Sequence, residues 1–237
     1  TVVGADNLPQ EPCIIVGNHA QMSGPIVSEL HLPGRHYTWC AGEMMNRGEV
    51  AAYAFRDFWS FKPKATLWFY RILSHLITPL ALCLFNNAHT VAVYHDVRLR
   101  NTLRESLGLL AAGESLVIFP EHNVPGNHIL YDFQDLFIDL ARMYHRRTGR
   151  TLSFVPIYVA PALRMTQIGE AIPSDPGAPA DAERARIKAA LMKAITDLAE
   201  GLPEHTVVPY RNIPKRLYPK NRPVPEQNQE REASEAS

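Results

Sequence analysis

The stretch TVAVYHDVRLRNTLRESLGLLAAGESLVIFP, residues 90–120, alternates between two kinds of pattern and decides the fold. It begins with the β-branched run TVAVY and ends with SLVIFP, and each run is typical of a buried strand. Between the runs lies a helical stripe of leucines, and Gly113 after it suits a C-terminal cap. The stripe consists of Leu99, Leu103, Leu107 and Leu110. The order strand, helix, strand predicts a β-α-β unit with parallel strands.

Further strands and helices are predicted on either side of this unit. Two apolar runs predict buried strands, CIIVGN at residues 13–18 and SFVPIYVAP at residues 153–161. An amphipathic helix is expected over residues 131–147, and a last helix from about Asp181 to Leu198. The buried face of the first of these helices is predicted to hold Phe133, Leu136, Phe137, Leu140, Ala141 and Tyr144. We therefore predict a single α/β domain with a mixed, largely parallel sheet flanked by helices.

The overall composition excludes several classes of protein. Lysine plus arginine equal aspartate plus glutamate at 24 each, so the chain has no global basic field to attract nucleic acid. The three cysteines, Cys13, Cys40 and Cys83, lack the spacing of a zinc site or a disulfide framework and indicate a reducing compartment. No signal peptide is expected after Thr1, and the sequence leaves an upstream membrane anchor open.

The composition also changes near the end of the chain. The last stretch, RPVPEQNQEREASEAS, has no apolar residue beyond Val224 and a few alanines, so it cannot offset its ordering entropy. We predict a domain over residues 1–221 and a disordered tail over residues 222–237.

One internal segment departs from the ordinary globular pattern. Residues 53–71, YAFRDFWSFKPKATLWFYR, interleave aromatic rings with lysines and arginines, which suits the boundary between a membrane and water. Residues 72–85 are strongly apolar but shorter than the roughly 20 residues of a spanning helix, and Pro79 interrupts them. Two interpretations remain, a core helix that covers the sheet or an interfacial segment that lines the path of an acyl chain.

Candidate catalytic residues follow two of the predicted strands. The first strand ends at Asn18 and His19, and the strand at residues 115–118 leads into Glu121 and His122. In an open α/β sheet ligands bind beyond the carboxyl ends of the strands, so His19 and Glu121 are expected to converge. A histidine there suits a general base, because its pKa lies near neutrality.

Three blocks of the sequence resemble the glycerolipid acyltransferase superfamily, which includes the lysophosphatidic acid acyltransferases. They are IIVGNHAQMSGP, TVAVYHDVRLRNTLRESLGLLAAGESLVIFPEH and FVPIYVAPALRMTQIGEAIP, and the resemblance covers about residues 1–173. The family pattern is Asn-His-x-x-x-x-Asp, an arginine near a strand end, Gly-x-x-x-x-x-Phe-Pro-Glu-Gly, and a Val-Pro strand. Residues 113–121 match the third element closely.

This resemblance implies a function and a set of site residues. The protein would transfer a fatty acyl group from acyl-CoA or an acyl carrier protein to a lipid-like hydroxyl acceptor, at the cytoplasmic surface of a membrane. His19 would be the general base and Glu121 its partner or a binder of the acceptor, with neither a covalent intermediate nor a cofactor or metal. The acceptor pocket would be formed by Asn18, His95, Arg98 and His122. The oligomeric state is left open.

The chain departs from the family pattern at three positions. Gly24 stands where the family has the aspartate that orients the histidine, His95 stands in place of the arginine, and His122 replaces the last glycine of Phe-Pro-Glu-Gly. Loss of the orienting acid in a serine-protease triad lowers kcat by about 10⁴.

Three explanations of these departures stay open. Another carboxylate orients His19, with Glu121 favoured over Asp96; or the protein has lost catalysis and binds lipid as a scaffold; or a metal supports hydrolysis. The metal ligands would come from His19, His122, His128 and Asp132. Their spacing matches no compact ligand motif. Neither the cysteines nor Ser23 lie in a pattern typical of a catalytic nucleophile.

Overall fold

A mixed sheet of eight strands runs through the part of the chain that the structure, a computed structural model, describes: residues 1–94 and 96–222. The strands in chain order, with a separate hairpin at β6 and β7, are β1 (Val2–Val3), β2 (Cys13–Gly17), β3 (His36–Ala41), β4 (Thr90–Val93), β5 (Ser115–Ile118), β6 (Glu121–Pro125), β7 (Tyr131–Phe133), β8 (Ser153–Ala160), β9 (Met165–Ile168) and β10 (Ile172–Pro173). The helices are α1 (Ser23–His31), α2 (Val50–Ala54), α3 (Leu67–Leu76), α4 (Thr78–Asn87), α5 (Leu99–Ala111), α6 (Asp139–Thr148) and α7 (Ala180–Gly201).

The strand order in the sheet is β1-β9-β8-β2-β5-β3-β4, with β10 also paired to β8. Most neighbouring strands are parallel, and only β9 and β10 run antiparallel to β8. Helices cover both faces, so the sheet is buried in the way that parallel sheets require. The predicted single α/β domain with a mixed, largely parallel sheet is confirmed.

The alternation of side chains along β2 explains why this strand lies at the centre. Ile14 and Val16 face a core that includes residues of α5, α6 and α7. Cys13 and Ile15 face the opposite core, where Val27 and Leu32 pack from α1 and the residue that follows it. Because both faces are covered, the strand reads as a continuous apolar run and is buried throughout.

The sequence prediction missed β3. The two strands of the predicted β-α-β unit, β4 and β5, are therefore not neighbours in the sheet. β4 and β5 are parallel to β3, which lies between them in the sheet. The sequence of β3, HYTWCA, includes the polar residues His36 and Thr38, which are buried. The pattern therefore lacks the apolar alternation by which strands are recognised.

The predicted helix over residues 131–147 is wrong in its first half. Tyr131–Phe133 forms β7 and pairs with Glu121–Pro125, a short 3₁₀ turn follows at Leu136–Ile138, and α6 begins only at Asp139. The side chain of Asn127 accepts the backbone N–H groups of residues 129 and 130 at 2.8 Å, which closes the hairpin turn. This local hydrogen bonding overrides the helical spacing, and Leu136 is left exposed.

Residues 50–87 form a separate helical layer beside β4. A π-helical turn, Phe55–Trp59, follows α2, and α3 and α4 form a bent pair that packs on a small core of Met44, Val50 and Ala81. No single helix within residues 1–94 and 96–222 meets the length and hydropathy required of a membrane span. Only Lys64–Leu76 and Thr78–Asn87 do so together, with a bend of 44° between them.

Two sequence predictions fall partly on residues that the structure does not describe. The predicted tail over residues 222–237 lies outside the described residues except for Arg222, and the domain boundary at residue 221 stays a prediction. His95, expected in the acceptor pocket, also lies outside the described residues.

Candidate active site

His19 and Glu121 meet beyond the carboxyl ends of β2 and β5, which are neighbours in the sheet. The backbone N–H of His19 donates a hydrogen bond to Oε2 of Glu121 over 2.6 Å. The Glu121 carboxylate therefore holds the main chain at His19. Any effect of Glu121 on the imidazole passes through the backbone to which the ring is attached.

Glu121 is buried and has a second backbone partner. Its Oε1 accepts the N–H of Tyr131 at 2.9 Å, and the side chain is only 5% exposed. Burial raises the pKa of Glu121 to about 7, although the hydrogen bonds from His19 and Tyr131 oppose the shift. The carboxyl group thus joins the loop after β2 to β7, and its charge changes near neutral pH.

The imidazole of His19 is oriented by a backbone carbonyl. Its Nδ1 is hydrogen-bonded to the carbonyl oxygen of Gln21. Ala20 and Gln21 both adopt left-handed conformations, with φ of 44° and 55°, which turn the chain back toward the ring. Because a carbonyl only accepts hydrogen bonds, Nδ1 carries the proton of the neutral ring and Nε2 carries the lone pair.

The same turn explains why residue 24 is a glycine. A Cβ added at Gly24 would lie 2.5 Å from the carbonyl oxygen of His19 and 2.6 Å from that of Asn18. The N–H of Gly24 donates to the carbonyl of His19 at 3.0 Å, so the two backbone segments are in contact. No side chain fits at this position, and an aspartate there is incompatible with the turn.

The surroundings of His19 favour the neutral ring. Phe119 and Tyr210 contact the imidazole edge-on, with ring centroids 5.7 and 5.6 Å away. Burial lowers the pKa of His19, while the hydrogen bond to Gln21 and the charge of Asp57 act in the opposite direction. The net lowering of the pKa favours the neutral ring, which can accept a proton at Nε2.

Asp57 is the carboxylate whose charge acts on His19, and sequence reasoning missed it. It lies in the π-helical turn Phe55–Trp59 and also interacts electrostatically with Tyr53 and Tyr210. Its own pKa is raised by burial, while Arg56 and His19 oppose the shift. In the sequence Asp57 lies within the aromatic segment 53–71. The one signal that could have identified it is that it is the only acid among the basic residues of this segment.

The C-terminal segment supplies further contacts that the sequence did not predict. The Gln21 side chain donates to the hydroxyl of Tyr218 at 2.8 Å. Tyr210 packs against Tyr131 with ring centroids 5.8 Å apart, in addition to its contact with His19. The segment that follows α7 therefore covers the His19 loop.

Asn18 joins two strands. Its side-chain amide donates to the carbonyl of Val159 at 3.0 Å and accepts the N–H of the same residue at 2.7 Å. The side chain is buried, and this pair of hydrogen bonds fixes the end of β2 against β8. Its predicted role in substrate binding stays a prediction.

Arg98 is held by a cluster of neighbours. Its Nε lies 2.9 Å from Oδ2 of Asp96, and its guanidinium stacks on the ring of Tyr94 at 3.7 Å. Hydrogen bonding to Asp96 raises the pKa of Arg98, and Glu49 adds a longer contact at 3.5 Å. Asp96, the second candidate to orient His19, is thus engaged by Arg98.

The three residues proposed as metal ligands beside His19 contact other side chains. His122 Nε2 lies 3.3 Å from Asp132 Oδ2, and the amine of Lys188 lies 2.7 Å from Asp132 Oδ1. His128 Nε2 lies 3.0 Å from Glu200 Oε1. Within residues 1–94 and 96–222, no group of three His, Cys, Asp or Glu side chains is arranged to hold a metal ion.

The thiols of Cys13 and Cys40 are not activated as nucleophiles. Cys13 and Cys40 carry thiols whose pKa is raised by burial, in the case of Cys40 to about 12. Cys83 is exposed on α4. A thiol that stays protonated at neutral pH is a poor nucleophile.

A cavity lies at the opposite edge of the sheet. It has a volume of about 370 Å³ and is lined mainly by residues at the amino ends of β2, β3 and β5, among them Cys13, His36 and Ser115. Ligands of open α/β sheets bind at the carboxyl edge, where His19 and Glu121 lie. We therefore assign the candidate site from the side chains, not from the cavity.

Comparisons with known proteins found similarity among solved structures. No protein-family model matches the chain, and no curated protein sequence matches it. The crystal structure of the 1-acyl-sn-glycerophosphate (LPA) acyltransferase PlsC from Thermotoga maritima is similar, with a TM-score of 0.45 and 19% sequence identity. The match covers 84% of this chain and 71% of that chain. Nothing about the site or activity of this chain follows from a likeness this loose.

Proposed function

We propose that the protein transfers an acyl group from a thioester to a hydroxyl acceptor, with His19 as the general base. The observation that carries this proposal is the buried imidazole at the carboxyl end of β2, oriented by the Gln21 carbonyl. Its Nδ1 is held by the Gln21 carbonyl, its lone pair is on Nε2, and burial lowers its pKa. These are the properties that a base needs to remove a proton from a hydroxyl group at pH 7.

The proposed reaction proceeds without a covalent enzyme intermediate. Nε2 of His19 accepts the hydroxyl proton while the acceptor oxygen attacks the thioester carbonyl carbon. The tetrahedral intermediate then expels the sulfur, which takes the proton from the imidazolium and leaves as a thiol. His19 is neutral again, and the products are an ester and a free thiol.

Two neighbours support the imidazolium that forms during the reaction. The Gln21 carbonyl accepts a hydrogen bond from Nδ1 in both charge states, and it keeps the ring in one orientation. Asp57 supplies negative charge, which favours the protonated ring. Together they perform the two tasks that an aspartate performs in a hydrolase triad, orientation and charge compensation. Glu121 is a positioning residue because it holds the main chain of His19.

The substrates are proposed from the sequence resemblance. The donor is acyl-CoA or an acyl carrier protein, and the acceptor is lipid-like and carries a hydroxyl group. Arg98 and His122 would bind polar groups of the acceptor by exchanging part of their contacts with Asp96 and Asp132. The reaction would take place at the cytoplasmic surface of a membrane.

A transfer assay with His19→Ala tests the proposal. Purified protein is incubated with radiolabelled acyl-CoA, or with acyl carrier protein carrying the same chain, together with a lipid extract in vesicles. We expect the wild type to form a new labelled lipid and the variant to do so about 10²- to 10⁴-fold more slowly. His128→Ala is the matched control, since His128 is a histidine between β6 and β7 that contacts Glu200.

Two results would contradict the proposal. Equal transfer by the wild type and His19→Ala would exclude His19 as the base. Acyl-chain binding without transfer from either donor would support the catalytically inactive lipid-binding scaffold instead.

A further inference from the structure

A stripe of large apolar side chains lies exposed along α3 and α4. Its members recur every fourth residue across both helices and are each between 53% and 70% exposed. We call this set the apolar stripe, and it consists of Trp68, Ile72, Leu76, Leu80 and Leu84. Phe69, which contacts the ring of Trp68, and Phe61 are exposed as well. Exposed apolar side chains in a contiguous row mark a surface that contacts a partner or a membrane.

The opposite side of the same helices is packed against the protein. Ser74 and Ala81 are buried, and Ala81 belongs to the small core with Met44 and Val50. A span across the bilayer would require this packed side to leave its core, and the bend of 44° interrupts a straight span. The helices therefore present one apolar side outward while the other stays attached to the domain, which suits a position flat on a membrane.

The charges around the stripe complement an anionic surface. Between residues 53 and 87 the lysines and arginines are Arg56, Lys62, Lys64 and Arg71, and Asp57 is the only aspartate or glutamate. Asp57 interacts electrostatically with His19 and Tyr53 of the site. Lys62 lies over the ring of Phe61 at 5.1 Å, so cation and ring reach the same depth. Such pairs suit the headgroup layer, where rings and phosphates meet.

We propose that the α3–α4 pair docks flat on a bilayer that contains anionic lipids, with the apolar stripe inserted at the level of the acyl-chain boundary. This docking deepens the proposed function, because it names the surface from which a lipid acceptor reaches His19. α2 contacts both α3 and α4, and the turn Phe55–Trp59 that follows α2 carries Asp57 to the site. One short segment thus links the membrane-facing helices to the catalytic residues.

Vesicle cosedimentation tests the docking surface directly. The probes are vesicles of phosphatidylcholine alone and of phosphatidylcholine mixed with phosphatidylglycerol. We expect binding to the mixed vesicles, and a decrease of at least about tenfold in the variant with Leu76→Glu and Leu80→Glu. Leu30→Glu is the matched control, since Leu30 is an equally exposed leucine on α1.

The charge contribution is tested with Lys62→Ala combined with Lys64→Ala. Removal of two cations near an anionic surface is expected to weaken partitioning to the mixed vesicles about thirtyfold at low salt. Partitioning to phosphatidylcholine alone should change little. Equal loss on both kinds of vesicle would show that anionic lipid is not the partner.

Cys83 provides a native probe of insertion. It is exposed between Leu80 and Leu84, whereas burial raises the pKa of the Cys13 and Cys40 thiols and slows their labelling. An environment-sensitive fluorophore on Cys83 should shift to shorter wavelength when mixed vesicles are added. No shift in the presence of bound vesicles would place another surface against the lipid.

The outcomes distinguish this inference from the proposed chemistry. The docking surface is overturned if the wild type binds neither kind of vesicle, or if the double glutamate variant binds as well as Leu30→Glu. It is also overturned if the stripe is covered by a second copy, so that the wild type is a dimer, the double variant is a monomer, and vesicles bind neither. His19→Ala should bind vesicles like the wild type and fail in transfer. Docking of the wild type without transfer contradicts the acyltransferase and leaves the docking surface intact.

Discussion

Helix α7 and the pair α3–α4 carry the same apolar spacing but opposite burial. In α7 the residues Ile187, Leu191 and Ile195 recur every fourth position and are fully buried in the main core. In α3 and α4 the apolar stripe has the same spacing and faces outward. Periodicity therefore indicates that a helix has an apolar face, but it does not indicate what covers that face.

The largest expected effect is on the free energy of unfolding, and it distinguishes the buried face of α7 from the exposed apolar stripe. Leu191→Ala is expected to lower the free energy of unfolding by about 2–5 kcal/mol, because it leaves a cavity in the main core. Leu76→Ala should change it by less than about 0.5 kcal/mol, since the side chain is exposed. Urea-induced unfolding measures both values. A large loss in Leu76→Ala would mean that the stripe is covered within the folded protein.

The same contrast between a buried and an exposed group exists between Glu121 and Asp57, the two carboxylates near His19. Glu121 is buried and accepts two backbone N–H groups. Glu121→Ala leaves both N–H groups without this acceptor and should lower the free energy of unfolding by about 2–4 kcal/mol. Glu121→Gln keeps one acceptor oxygen and should cost less. If Glu121→Ala is as stable as the wild type, the two hydrogen bonds of Glu121 do not stabilise the fold.

The pH dependence of stability provides a second test of Glu121. Its pKa in the folded protein, about 7, lies above the unfolded value of about 4.3. The native state therefore binds this proton more tightly, so its contribution to stability is full below pH 4 and is lost as the pH rises through 7. The stability of the wild type relative to Glu121→Gln should fall between pH 5 and pH 8 in urea titrations.

The smallest expected effect concerns Asp57, which lies near the surface and acts through its charge. Asp57→Asn should leave stability unchanged and slow transfer about two- to fivefold, the range for a partly exposed charge pair. Because burial lowers the pKa of His19, the acid limb of kcat/KM should lie below pH 6.5 in the wild type. Loss of the Asp57 charge should move that limb to still lower pH. An unchanged limb would assign Asp57 a structural role.

Four of the eight strands of the sheet were predictable from the sequence. The four apolar runs form β2, β4, β5 and β8, because strands covered on both faces are continuously apolar. β3 was missed because its buried positions hold His36 and Thr38. The first half of the helix predicted over residues 131–147 was wrong because Tyr131–Phe133 pairs with β6, a contact that helical periodicity does not register.

The site was predictable only in part. The expectation that His19 and Glu121 converge followed from their positions after strands, and the structure brings their main chain and side chain together. The carbonyl of Gln21 and the charge of Asp57 were not predictable. The first depends on the left-handed turn at residues 20 and 21, and the second on the packing of a segment that lies 38 positions further along the chain.

The sequence by itself determined the parallel sheet, the position of the histidine at a strand end and the absence of an acid at Gly24, because these depend on local pattern and spacing. Only the tertiary structure decided what replaces that acid. The Gly24 backbone contacts the carbonyl oxygens of Asn18 and His19 too closely for any side chain, so the orienting acceptor comes from the turn itself. Tertiary packing also decided which apolar helix face is buried, because burial depends on distant segments that no local pattern specifies.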